Sequence, residues 1–139
     1  MAFTHHVTVE FQHCDPAGIV FYPRYFEMIS ATVERFFTDG LRDSFARMHL
    51  IDRVGVPTAH IEVDFRSPSR LEDRLALTLE VERIGQSSLA LRTTCRCGGD
   101  LRFEARSTLV NFDFNANRSR PWSEAQREGF TRHLATVPA

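Results

Sequence analysis

The sequence predicts an α+β fold in which an antiparallel, five-stranded sheet wraps around one long central helix. Three observations predict it. Between residues 23 and 39, apolar side chains recur at spacings of three and four; strand-like alternation fills most of the chain from residue 59 to 114; and one more alternating stretch precedes the helix.

Near the N-terminus, Val7, Val9 and Phe11 alternate with Thr8, Glu10 and Gln12, the two-residue period of a half-buried strand that delivers the chain to Asp15. Asp15-Pro16 ahead of Gly18 reads as a tight turn. Tyr22-Pro23 reads as a helix start, because proline is tolerated where its missing N–H is not needed. In the helix, Phe26, Ile29, Val33, Phe36 and Phe37 form one face, Arg24, Glu27, Glu34 and Arg35 fall elsewhere, and Gly40 suits the end. A weaker helical pattern in Leu41, Phe45 and Met48 is interrupted by Gly55 and Pro57. The strands then come without pause.

Ala59, Ile61, Val63 and Phe65 set the first, and after Ser67-Pro68-Ser69 come Leu75, Leu77, Leu79 and Val81. Residues 84–87 read as a hairpin connection to Leu89, Leu91, Thr93, Cys95 and Cys97, and Gly98-Gly99-Asp100 turns into the last strand. There Leu101, Phe103 and Ala105 hold one phase while Val110, Phe112 and Phe114 hold the opposite one, which predicts a bulge or a change of buried face near Ser107. Ser123 and Gln126 form a capping-box pair opening a short helix to about His133, with Trp122 as a staple against the core.

At 139 residues the chain is expected to be one domain, 1–139. All 17 basic residues are arginine, so a lysine Schiff base is excluded, and 18 acids leave a net charge of -1 that gives no global drive toward nucleic acid or anionic membrane. No stretch approaches the ~18 apolar residues of a membrane span, and none resembles an export signal. Cys14, Cys95 and Cys97 lack the spacing of a disulfide framework, which fits a reducing compartment, the cytoplasm.

Chemistry is expected where the turn meets the helix. A helix N-terminus offers unpartnered N–H donors and partial positive charge, and a carboxylate beside it suits acyl chemistry as base or nucleophile. The plain alternative is a structural turn, since Asp before Pro also serves as an ordinary cap. Cys14 is a rival nucleophile, but His13 beside it would point to the opposite strand face. His5, His6, His13 and Cys14 lack the spacing of a structural metal site, so neither metal nor cofactor is expected. Cys95 and Cys97 read as small apolar groups.

The run Asp15, Gly18, Ile19, Val20, Phe21, Tyr22, Pro23, Tyr25 resembles the active-site segment of the 4-hydroxybenzoyl-CoA thioesterase family, whose fold is the hotdog. The resemblance implies a thioester hydrolase acting on acyl-CoA or acyl-phosphopantetheine, with Asp15 as nucleophile or base and the backbone N–H at Tyr22 holding the carbonyl oxygen. It implies that Gly18, Ile19, Val20, Pro23 and Tyr25 surround the substrate, and that the segment carrying Thr58 and His60 lines the acyl pocket of a neighbouring subunit. A homodimer joined edge to edge, further paired as a tetramer, is the implied assembly. Two departures bear on substrate. Ser30 stands, counted without gaps, where the founding enzyme has a carboxylate that reads the aromatic hydroxyl; Gly85-Gln86-Ser87 replaces its basic triplet for the CoA phosphates, leaving Arg83, Arg92 or others to serve. The substrate is therefore expected to be an aryl or short- to medium-chain acyl thioester. The alternatives are a hotdog hydratase or dehydratase, which would use His13 or His60, and a non-catalytic acyl-thioester binder.

Overall fold

In the computed structural model, which describes residues 1–135, the elements follow as β1 (Phe3–Thr8), α1 (Pro23–Arg35), β2 (Val54–Gly55), β3 (Thr58–Phe65), β4 (Arg74–Ile84), β5 (Ser88–Cys97), β6 (Asp100–Val110), β7 (Phe112–Asp113), β8 (Arg118–Ser119) and α2 (Glu124–Thr131). Five strands pair antiparallel in the order β1-β4-β5-β6-β3 and wrap around α1, the expected hotdog arrangement. Strict alternation explains the register. Leu75, Leu77, Leu79 and Val81 on β4, and Leu89, Leu91 and Cys95 on β5, all point at the helix and are fully buried.

The helix meets that surface with Tyr25, Met28, Ile29, Thr32 and Val33, then continues through a π-helical turn, Phe36–Gly40, which buries both Phe36 and Phe37. Phe26, placed on this face by spacing, is half-buried at its edge. α2 closes the far end. Its capping box forms as expected, and Trp122 packs edge-on against Phe130 while donating its indole N–H to the Ser88 carbonyl at 2.9 Å.

Three expectations need correction. β1 ends at Thr8 because Val9 leaves the ladder: its N–H donates to the Asp73 carbonyl and its carbonyl accepts the Glu72 N–H, both at 2.8 Å. Residues Phe11–His13 then form a single 3-10 turn, and Phe11 is 83 % exposed. Second, β6 does not change face near Ser107. Phe103, Ala105, Ser107 and Leu109 keep one inward phase, and the break comes at buried Asn111, where the chain leaves the main sheet to form β7 in a second sheet with β2 and β8. Third, the helical pattern at 41–48 settles as a short π-helical segment, Arg47–Asp52.

The connection from β3 to β4 is clamped to the sheet by charge. Arg102 on β6 donates to the Pro68 carbonyl at 2.9 Å and to Asp73 Oδ2 at 2.8 Å, while the Arg70 N–H donates to the same carboxylate oxygen at 2.9 Å. The Arg70 amide and the Arg102 guanidinium hold the Asp73 carboxyl below its ordinary pKa. A depressed pKa adds stability that is present above the ordinary carboxylate range and is lost as pH falls through the folded value. Asp73→Asn is therefore expected to lower unfolding free energy by ~1–2 kcal/mol at pH 7 in urea titrations, with the gap from wild type closing below about pH 4. A gap that stayed constant with pH would contradict the clamp.

Candidate active site

Residue types build the turn that carries Asp15. Asp15, Pro16, Ala17 and Gly18 close a β-turn in which the Gly18 N–H donates to the Asp15 carbonyl at 2.9 Å, with Asp and Pro at the first two positions they favour. Gly18 lies at φ 83°, the left-handed conformation on which a three-residue hairpin loop ends, and the Asp15 N–H then donates to the Ile19 carbonyl at 3.0 Å. Cys14 pairs with Val20, and the Phe21 N–H reaches the His13 carbonyl at 2.9 Å. The chain is thus folded back on itself. Asp15 and the head of α1 are held by one small hairpin.

Asp15 is half-buried. Its Oδ1 accepts the Ala17 N–H at 2.9 Å, while Oδ2 has no hydrogen-bond partner among the described residues. The carboxylate lines an open groove of about 550 Å³ with Gln12, Cys14, Phe21 and Arg24. Arg24, which also pairs with Glu27 at 3.0 Å, reads from spacing as a polar helix residue and nothing more. It reaches the groove because the backbone closes between residues 13 and 21, a contact that no side-chain pattern announces.

At the head of α1 the donors can be followed one by one. Pro23 has no N–H, and the N–H groups of Arg24 and Tyr25 donate to the carbonyls of Phe21 at 2.9 Å and Tyr22 at 3.1 Å. The Tyr22 N–H is left without an acceptor among the described residues, at the positive end of the helix dipole. The Tyr22 ring is exposed and sits edge-on to Phe21 and Phe65, with centroids at 5.6 Å and 6.0 Å.

Other residues assigned to the substrate by resemblance are placed differently. Tyr25 is 4 % exposed, its ring packed on Phe103 and its hydroxyl donating to Ser69 Oγ at 2.8 Å; burial pushes its pKa up, and the Ser69 hydrogen bond opposes the shift. Val20 is buried and donates its N–H to the Ser69 carbonyl at 2.8 Å, and Ile19 bridges to Arg70. These three hold the hairpin onto the β3–β4 connection. Gly18 is exposed in the hairpin loop, and Pro23 is half-buried at the first turn of α1.

A separate cavity of about 270 Å³ lies between α1 and the β3–β6 edge, and it brings Ser30 and Thr58 together with Ile29, Val33, Ile61 and Leu109. None of its lining residues is charged. Thr58 and Ile61 share this face only because the β3–β6 register shifts between Thr58 and His60, a bulge that reverses the alternation. His60 is exposed and lies outside the cavity's lining. Within one chain the Asp15 groove and this cavity share no lining residue.

The remaining candidates are engaged elsewhere. His13 Nδ1 accepts the Glu10 N–H at 2.8 Å, and Cys14 Sγ lies 3.7 Å from the Glu10 carbonyl. Cys95 is fully buried, and desolvation pushes its thiol up to about 12. Arg92 is bonded to Glu104. Among the described residues no three His, Cys, Asp or Glu side chains converge as a metal site.

Over residues 9–130 the sequence matches the thioesterase-like superfamily. The chain belongs to that superfamily. It is 31 % identical over 88 residues to a 1,4-dihydroxy-2-naphthoyl-CoA hydrolase of Nostoc punctiforme (strain ATCC 29133 / PCC 73102), a match covering 61 % of this chain and 57 % of that enzyme. The match thus spans little more than half of that relative's length. Its fold superposes on a thioesterase superfamily structure from Jannaschia sp. CCS1 with TM-score 0.90 at 24 % identity, covering 97 % of this chain and 94 % of the other. A 1,4-dihydroxy-2-naphthoyl-CoA thioesterase structure from Synechocystis superposes with TM-score 0.85 at 17 % identity, covering 94 % and 96 %.

In this member of the thioesterase-like superfamily the geometry of the Asp15 turn rests on Gly18. A Cβ there would meet nothing within 4 Å, so any cost of a side chain comes from the positive φ and not from crowding. Gly18→Ala should cost ~1–2 kcal/mol in urea unfolding, and Gly18→Asn less, because asparagine tolerates the left-handed region. Equal stability of wild type and both variants would contradict this account of the turn.

Proposed function

We propose that this chain is an acyl-CoA thioesterase whose active segment is of the 4-hydroxybenzoyl-CoA thioesterase type, cleaving a thioester to a carboxylic acid and the free thiol of CoA. The observation that carries the reading is that Asp15 Oδ2 and the Tyr22 N–H, both without a partner among the described residues, are held by the same backbone-closed hairpin and the helix head it leads into. Asp15 either attacks the thioester carbon, giving an anhydride that water then opens, or takes a proton from water as it adds. In both routes negative charge develops on the carbonyl oxygen, the Tyr22 N–H and the helix dipole stabilise it, and the C–S bond breaks to release thiolate. No metal or organic cofactor enters either route.

The uncharged cavity beside Ser30 and Thr58 supports an aryl or short- to medium-chain acyl group without an ionised end. The curated relative named for 1,4-dihydroxy-2-naphthoyl-CoA supports an aromatic acyl group. Because groove and cavity are separate within one chain, the reading places each site across two protomers: Asp15 from one and the cavity from its partner. The edge strand β3, with Phe65 47 % exposed, supports edge-to-edge pairing into a homodimer and, by further association, a tetramer. Three free cysteines support action in the cytoplasm. A hydratase would need a histidine beside the carboxylate, and neither His13 nor His60 lines the Asp15 groove.

Asp15→Asn is expected to lower thiol release from benzoyl-CoA by ~10²-fold or more without changing the melting temperature. Undiminished thiol release in that variant would remove Asp15 from the reaction. Ser30→Asp is expected to raise kcat/KM for 4-hydroxybenzoyl-CoA relative to benzoyl-CoA, by supplying an acceptor for the ring hydroxyl. An unchanged ratio would mean that the ring does not reach Ser30.

A further inference from the structure

Ser107 stands on β6 where the packing calls for an apolar residue. Phe103, Ala105 and Leu109 share its inward phase, and the residues opposite it on the flanking strands, Leu91 of β5 and Ile61 of β3, face the same way. Ser107 is 6 % exposed, and its hydroxyl has no hydrogen-bond partner among the described residues. A buried hydroxyl ordinarily finds one, because leaving water unpaired is costly. Two others beside α1 do so: the Ser69 hydroxyl accepts from Tyr25, and the Thr32 hydroxyl donates to the Met28 carbonyl, both at 2.8 Å.

The Ser107 hydroxyl opens toward one place. Among the described residues only Asn111 Oδ1 is both unpartnered and enclosed, so Ser107 Oγ is not sealed in, and Ser107 lines the cavity of about 270 Å³ between α1 and the β3–β6 edge. Ser30 and Thr58 line the same cavity and are exposed, so they mark its mouth and Ser107 its depth. Ile29 and Val33 of α1 and Leu109 of β6 make the inner walls. A cavity of ~150 Å³ already holds a benzene ring, so an acyl group with a ring and one substituent fits the space. At that depth a single hydroxyl offers a donor and an acceptor but no charge. It suits a neutral oxygen substituent and gives nothing to a methyl group.

We propose that Ser107 is a specificity-determining residue of the thioester site, its hydroxyl selecting acyl groups that carry a hydroxyl or oxo group at the end remote from the thioester. The assignment rests on the hydrolase reading, in which the thioester lies at the cavity mouth beside Asp15 of the other protomer. The uncharged lining turns away an ionised acyl end; Ser107 goes further and separates two neutral ends of equal size. An acyl group without the matching oxygen loses a hydrogen bond and also leaves Ser107 unpaired, so both losses fall on the same substrate.

Matched pairs of esters test it: 3- and 4-hydroxybenzoyl-CoA against 3- and 4-methylbenzoyl-CoA, in which a hydroxyl and a methyl of nearly equal size change places. In the wild-type protein at least one hydroxy ester should show kcat/KM ~10-fold or more above its methyl counterpart, and Ser107→Ala, with an unchanged melting temperature, should bring that ratio close to one. A wild type that cleaves each methyl ester as well as its hydroxy counterpart, or a preference that survives Ser107→Ala, would overturn the proposal and leave the hydrolase reading standing. If no ester releases thiol, the hydrolase reading fails, and calorimetry with phenol and toluene tests Ser107 alone. The ratio of phenol to toluene affinity should then fall ~10-fold in Ser107→Ala. An equal ratio in both proteins, or binding of neither ligand, would overturn the role given to Ser107 as well.

Discussion

The arrangement depends on Ser69. The hairpin bearing Asp15 is short, and Val20 is its one side chain buried in the core, with Cys14 packed beside it. Ser69 supplies the fixed point: its carbonyl accepts the Val20 N–H, and its hydroxyl accepts the Tyr25 hydroxyl from the first turn of α1. One buried residue therefore ties the turn and the helix head to the same place. Ser69 is itself held, because Arg102 grips the neighbouring Pro68 carbonyl and the Asp73 carboxylate, and Asp73 also meets Val9. The result is a path of hydrogen bonds from the sheet to the carboxylate. A loose segment without such a path would open locally at little free-energy cost.

How much of this could be read in the residues follows from where the information lies. β4, β5 and the α1 face were legible because a buried surface imposes a strict period, and the Asp15 turn because Asp, Pro and Gly each answer to a specific backbone conformation. The end of β1 was not legible. Val9 and Phe11 share a phase, yet Val9 is taken by the β3–β4 connection and Phe11 is left in solvent. The phase change at Val110 marks a strand leaving one sheet for another and not a bulge within it. The bulge that does matter, at Ala59, leaves no mark in a strand whose alternation continues as Ala59, Ile61, Val63, Phe65. Of the residues that resemblance grouped around the substrate, Asp15 and Tyr22 offer unengaged atoms, while Ile19, Val20 and Tyr25 spend theirs on holding the hairpin.

The proposed chemistry asks little of the fold beyond that hairpin. A carboxylate oxygen and an amide hydrogen must face the same carbonyl, and among the described residues the bonding around them leaves both without partners. On the proposed reading the acyl group lies elsewhere, beneath Ser30 and Thr58, in an uncharged cavity whose lining includes the bulge in an edge strand. Substitutions at the cavity would, on that proposal, change substrate choice without moving Asp15 or the Tyr22 amide. Pairing across β3 would then be a condition of activity and not an accessory to it.

The most direct measurement of the central claim is a crystal structure of the protein with a non-hydrolysable acyl-CoA analogue in which a ketone replaces the thioester. The account predicts the ketone oxygen within ~3 Å of the Tyr22 amide nitrogen and the ketone carbon facing Asp15 Oδ2. A carbonyl bound away from residue 22, with Asp15 facing solvent, would contradict it.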